Sequence, residues 1–96
     1  MIVVDEYIVD VLMRDLVGHD RAPSAFLVYL HLWSESEGRQ KSAVAVSHQM
    51  IAEATGLSKS TVQKGIHCLA RRKLIKAQKN SPTAIPEYRV LHPWRR

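Results

Sequence analysis

Residues 47–75 constrain this chain more than any other stretch. Ser47 precedes a short run in which Met50, Ile51 and Ala54 share a helical face, and its hydroxyl is suited to accept from an orphan backbone N–H. Gly56 follows, at the place where a helix most often needs a residue that tolerates positive φ. Ser58 is a second N-cap. Val62, Ile66 and Leu69 then recur at i, i+4 and i+7, one apolar stripe of a second helix. Before and between them stand Lys59, Ser60, Thr61, Gln63, Lys64 and His67, all hydrogen-bond formers. The stretch therefore predicts two short helices meeting at a tight turn, the second with a wholly polar outer face.

With 96 residues the chain has the length of one domain, enough to bury a modest core without disulfides. Its one cysteine, Cys68, excludes an internal disulfide and any multi-cysteine zinc site, and fits a reducing, cytoplasmic setting. The start, Met1 to Tyr7, is acidic and lacks the basic n-region of a signal peptide. The longest apolar run, Ala25–Trp33, is too short to span a membrane. No membrane partner and no cofactor is expected. Charge is the sharper signal. Residues 1–40 carry seven Asp and Glu against three Arg, a net of −4. Residues 41–96 carry eleven Lys and Arg against two Glu, a net of +9. A basic half joined to an acidic half points to a polyanion on one side only.

From the N-terminus, Asp5 is placed to cap a first helix that ends at Gly18, with Tyr7, Ile8, Val11, Leu12 and Leu16 on one face. That face has two uses: packing on the chain's own core, or contact with a second copy. Pro23 suits the first turn of the next helix, Ser24 to Glu37. It is apolar almost all round, which makes it the central helix, with Phe26, Leu30 and Trp33 inward. His31 on it reads as a partly exposed histidine, not a ligand. Ala43–Val46 is a brief strand, β-branched at alternate positions. After the helix pair, Arg71, Arg72 and Lys73 suit a helix C-terminus, where cations complement the dipole; the alternative is contact with flanking phosphates. Ile75 and Ala77 alternate with Lys76 and Gln78, a half-buried strand. Asn80 to Ala84 is a turn, and a second strand follows with Tyr88 and Val90 two apart; Pro86 makes it start late or lie at an edge. Residues 92–96 form a basic tail in which Trp94 packs on the domain, while Arg95 and Arg96 either extend the basic surface or hang free.

The order helix, strand, helix, turn, helix, strand, loop, strand resembles a winged helix-turn-helix domain over residues 22–91. Ile51-Ala52, Gly56-Leu57-Ser58, Thr61-Val62, Ile66, Leu69 and Leu74-Ile75 carry the likeness. It is similar to the DNA-binding halves of small prokaryotic regulators of the MarR and GntR kinds. The resemblance implies that the Ala52 position is small so that two helices can approach, that Gly56 takes the turn, and that Leu74-Ile75 begins the wing. The expected fold is mainly α with a small β-hairpin wing: a winged helix-turn-helix with an extra N-terminal helix. The whole chain, 1–96, is expected to form one such domain, with 1–21 as extension helix and connection, 22–91 as core and 92–96 as tail. Gly65 departs from the pattern, since glycine inside a helix costs about 1 kcal/mol against Ala. It serves either close approach to a core residue or close approach to a phosphate.

The resemblance further implies double-stranded DNA as partner, with a recognition helix at about 58–72 entering the major groove and a wing at about 76–86 on the backbone or minor groove. Gln63 is able to pair bidentately with adenine; Lys59 and Lys64 suit guanine or phosphate. Ser58 and Thr61 are phosphate donors, with Ser60 beside them and His67 one turn on. Ser47 and His48 lie at the start of the preceding helix, and Arg71, Lys76, Lys79 and Asn80 complete the expected set. The histidines show no metal-ligand spacing, and no nucleophile motif or Gly-rich phosphate loop is present, so nothing argues for an enzyme. The expected function is a small dimeric transcriptional regulator, cytoplasmic and nucleoid-associated when bound. Its dimer contact would be Tyr7, Ile8, Val11, Leu12 and the 24–37 helix. Two other readings share the fold: a protein-interaction module, and the origin-binding domain of a replication or partition protein.

Overall fold

A computed structural model describes residues 1–95; Arg96, expected to belong to the basic tail, lies outside the described residues. The architecture is mainly helical with a small three-stranded antiparallel sheet placed after and beside the helices, as in a winged helix-turn-helix.

The N-terminal helix covers residues 6–19. Two stretches of it, Ile8–Leu12 and Asp15–His19, are wound wide, with N–H groups bonding five residues back; Asp20 N–H reaches Asp15 O at 2.8 Å. Widening the turn aligns residues four apart, so Ile8, Leu12 and Leu16 form one buried ridge. Tyr7 and Val11 roll out to its margin. This corrects the expected dimer contact: Ile8 and Leu12 are consumed by the chain's own core. The apolar side chains left outside are Val9, Met13 and Val17, again four apart. Gly18 does not end the helix. It runs through His19, and the chain reverses at Arg21, which takes a left-handed φ of 52°, with Ala22 N–H closing back on Leu16 O at 2.7 Å.

Helix α1, Pro23–Ser36, begins on its proline and runs through the centre of the molecule. Ala25, Phe26, Val28, Tyr29, Leu32 and Trp33 are buried around most of its circumference. Leu30, expected inward, is only half-buried, and Leu27 is exposed. A single turn, Glu37–Arg39, follows; Gln40 is left-handed and Lys41 N–H bonds Ser36 O at 2.7 Å. The strand β1 is just Val44–Ala45.

Helix α2, His48–Thr55, is capped by Ser47 Oγ, which accepts from Met50 N–H at 3.1 Å. Its buried face is centred on Ile51, with Ala52 and Thr55 at its edge; Met50 and Ala54, expected to share that face, are exposed. The helix is short and touches α1 and α3 along one narrow edge, so a single large apolar side chain suffices. Gly56 ends it at φ 80°, where its N–H bonds Ala52 O at 2.8 Å.

Helix α3, Lys59–Arg71, is capped by Ser58 Oγ, which accepts from Thr61 N–H at 3.2 Å. Val62, Gly65, Ile66, Cys68 and Leu69 face inward. Gly65 is accounted for by the packing of α3 on α1. A Cβ there would lie 3.3 Å from the Cα of Ala25 and 3.4 Å from Val28 Cγ2. The glycine lets the α3 backbone rest against α1, so of its two expected uses the structure supports core approach. The helix closes in a Schellman motif: Leu74 N–H bonds Leu69 O at 2.9 Å and Lys73 N–H bonds Ala70 O at 3.0 Å, with Leu69 and Leu74 both buried. Lys73 takes the left-handed position at φ 58°, where glycine is the ordinary choice.

The hairpin strands are β2, Ile75–Gln78, and β3, Glu87–Val90, and the sheet order is β1-β3-β2. Pro86 does delay the second strand, and its carbonyl accepts from Val46 N–H at 3.2 Å, but β3 is the central strand. Tyr88 and Val90 are buried as their alternation predicts. Ala77 is exposed: beyond Ile75 the hairpin has run off the core.

The tail is docked. Trp94 stacks on Tyr7 with ring centroids 4.7 Å apart and lies 6.2 Å from Trp33. Its indole N–H donates to Asp5 at 2.9 Å, and Arg95 makes two 2.7 Å hydrogen bonds to the same carboxylate. Asp5 therefore does not cap the first helix with its side chain. The Arg95 hydrogen bonds hold the Asp5 carboxyl below the usual carboxylate range, the Trp94 N–H acting in the same sense against burial. A carboxyl lowered in this way stabilises the fold above its ordinary value of about 3.9 and loses that contribution as pH falls through the lowered one. Tryptophan fluorescence should accordingly report release of the tail only below about pH 4. Asp5→Asn should release it at neutral pH. A tail that stays docked in that variant would show that stacking on Tyr7 is sufficient.

Candidate nucleic-acid interface

The outer face of α3 is built by its period. With Val62, Gly65, Ile66 and Leu69 turned inward, Lys59, Ser60, Gln63, Lys64, His67 and Arg71 are exposed together on the opposite side. Thr61 is half-buried at the margin. None of Lys59, Lys64 and Arg71 has an ion-pair partner among the described residues, so their charge is directed to solvent.

The hydroxyls around the caps are ordered. Ser58 Oγ donates to Thr61 Oγ1 at 2.7 Å while accepting from Thr61 N–H. This leaves the Thr61 proton as the one available to an incoming acceptor. Ser47 Oγ accepts from Met50 N–H and keeps its own proton available.

Three separate segments converge beside this face. Ser47, His48 and Gln49 from the start of α2, Lys59 from the start of α3, and Lys79 and Pro86 from the hairpin line one cleft of about 300 Å³. Of the expected residues it brings together Ser47, His48, Lys59 and Lys79. Sequence reasoning missed Gln49 and Pro86. Gln49 was legible from its place beside the cap, whereas Pro86 reads only as a strand breaker. Burial, followed by the nearby His67, Lys59 and Lys79, pushes the His48 imidazole below its ordinary range. It is a neutral ring at the focus of a positive field. Asn80 is exposed in the turn beyond Lys79.

Other expected residues go elsewhere. Lys76 lies on the outer face of the sheet, lining a small cleft with Gln78, Glu87 and Arg89. Arg72 turns back to the acidic half, 3.1 Å from Asp20 and 3.7 Å from Asp15. Arg95 is engaged by Asp5 and Glu37. Part of the excess charge counted in residues 41–96 is thus neutralised within the fold, and what remains exposed is concentrated on α3 and the hairpin.

The sequence profile of a helix-turn-helix domain matches residues 22–75, from the turn before α1 to the first residue of β2. That span is more than half of the chain and contains α2, the Gly56 turn and α3. The chain belongs to the helix-turn-helix domain family. Comparison with curated proteins and with solved structures gives no match. As a helix-turn-helix domain it has DNA as its expected partner. Among the described residues no group of three or more His, Cys, Asp or Glu is placed to hold a metal ion. Among them, too, no helix is long and apolar enough to cross a membrane.

Proposed function

We propose that the chain is a small transcriptional regulator that binds double-stranded DNA sequence-specifically, with α3 in the major groove and the hairpin turn on the backbone. The observation that carries this reading is the convergence of Ser47, His48, Lys59 and Lys79 on one cleft beside the exposed Gln63 and Lys64. A phosphate seated in that cleft would meet cations from α3 and the hairpin and the N-terminus of α2 together, fixing the register in which Gln63 and Lys64 meet base edges. A salt titration with mixed-sequence duplex tests it: affinity should fall linearly on a log–log scale, by about 0.9 per neutralised phosphate. Absence of binding at low salt would leave the protein-interaction module as the better reading.

His48 adds a second signature. Burial first, and then the neighbouring Lys59 and Lys79, disfavour its charged form in the free protein. A bound phosphate would reverse that field, so binding should take up protons and tighten as pH falls from about 8 toward 6, around the ordinary imidazole value. His48→Gln should flatten part of this dependence. An unchanged profile would mean that no phosphate approaches the ring.

The regulator is proposed to act as a dimer, through the outward ridge of Val9, Met13 and Val17 in place of the buried Ile8 and Leu12. Asp10 and Arg14 are exposed on the same helix, so an antiparallel pairing of two copies would set each Asp10 near its partner's arginine. Dimerisation would match the protein to two half-sites about one helical turn apart. Sedimentation should show a dimer that Met13→Glu dissociates. A wild-type monomer at high concentration would overturn the assignment.

A further inference from the structure

The hairpin joins two clefts of different character. At its turn lies the cleft beside α3. At the other end of the same strands lies a cavity of about 570 Å³, within the range of small-molecule sites at roughly 300–1,000 Å³. Val90, Leu91 and Pro93 supply apolar lining, and Lys41, Lys73 and Arg89 are the cations at its rim. All three cations are exposed, and none has an ion-pair partner among the described residues. The carboxylate at the edge, Glu37, is already engaged by His92 Nε2 at 3.2 Å and by Arg95 at 3.7 Å. Its negative charge is therefore directed toward the tail.

Two features of this corner carry a local cost. Lys73 holds a left-handed backbone position that glycine would occupy without strain. Arg89 stands directly across from Lys76 in the β2–β3 register, a like-charge pair of the kind that weakens a sheet. Strained backbone positions cluster at ligand sites. An anion in the cavity would relieve the repulsion at Arg89 and meet Lys73 and Lys41 from two other segments.

We propose that the cavity bordered by Lys41, Lys73 and Arg89 binds a small amphipathic anion, a carboxylate or phosphate monoester carried on an apolar body. The anionic head sits at the three cations, and the apolar body lies along Val90, Leu91 and Pro93. The site is separate from the cleft at the hairpin turn by the length of the strands, roughly 10 Å or more. It stands whether or not the chain binds DNA.

The test is a resonance titration of the intact, isotope-labelled chain with phenyl phosphate, with benzoate and with inorganic phosphate, each without DNA. Phenyl phosphate or benzoate should give saturable amide shifts centred on Lys41, Lys73, Arg89 and Leu91, and whichever saturates at lower concentration identifies the head group. Inorganic phosphate, which lacks the apolar body, should bind at least about tenfold more weakly. Arg89→Gln should weaken the better probe about tenfold with a melting temperature no lower than the wild type's, while Lys79→Gln leaves it unaffected. The proposal is overturned if neither organic anion saturates, if the shifts centre on His48 and Lys59, or if Arg89→Gln binds as the wild type does. None of these outcomes bears on duplex binding, which the salt titration decides by itself.

Discussion

Gly65→Leu should destabilise the chain by about 1–3 kcal/mol or more, the usual cost of forcing bulk into a packed interface. For a chain of this size each kcal/mol is worth roughly 4–8 °C in melting temperature. The cause is specific: a side chain at 65 points at the backbone of α1, where the nearest atom to a Cβ would be the Ala25 Cα at 3.3 Å, and a helix backbone cannot turn aside as a flexible side chain can. Gly65→Ala makes the comparison sharp. Alanine gains about 1 kcal/mol of helix propensity and needs α1 and α3 to part by only a few tenths of an ångström, so it should come out near neutral. Urea melts of both variants measure the difference. A stable Gly65→Leu chain that has lost only DNA affinity would instead place the glycine against a phosphate.

The second large effect concerns the cleft at the hairpin turn. Lys59→Glu combined with Lys79→Glu should lower affinity for any duplex, because both cations line one cleft and neither has an ion-pair partner among the described residues. Hydrogen bonds to charged groups are worth about 1.5–3 kcal/mol each, so the pair should cost two to four orders of magnitude. The salt slope should shrink by about 2. Gln63→Ala should behave differently, costing roughly 1–3 kcal/mol at a preferred sequence and almost nothing on mixed duplex. The contrast separates positioning by phosphate from reading of bases. If the double variant keeps the wild-type slope, the cleft is not a phosphate site and the proposed docking of α3 fails with it.

What the sequence made legible was what local chemistry decides. Ser47 and Ser58 cap their helices, Gly56 turns between them, and the Val62–Ile66–Leu69 stripe faces inward, because caps and periodicity involve neighbours within a turn. The exposed α3 face follows from the same stripe. Whatever depended on distant partners was not legible. Gly65 stood out as an anomaly, but its reason, Ala25, is forty residues earlier in the chain. The face with Tyr7 and Val11 had two possible uses, the chain's own core or a second copy, and Gly18 was the expected end; the helix is instead wound wide, and the reversal falls to Arg21. The sequence left Arg72 between helix capping and flanking phosphates, and Arg95 between a basic surface and a free tail, whereas Asp20 and Asp5 hold them on the acidic side. Charge counted along a sequence overstates the charge a partner meets, and part of the surplus here is neutralised by pairs that only the fold brings together.

The docked tail has a consequence for how the molecule comes apart. Asp5 and Arg95 lie ninety positions apart and share two hydrogen bonds, with Trp94 between Tyr7 and Trp33. Chain ends ordinarily fray independently and first. Here the two segments are tied to each other, so the N-terminal helix and the residues around Trp94 should open as one cooperative unit, with amide protons that exchange together.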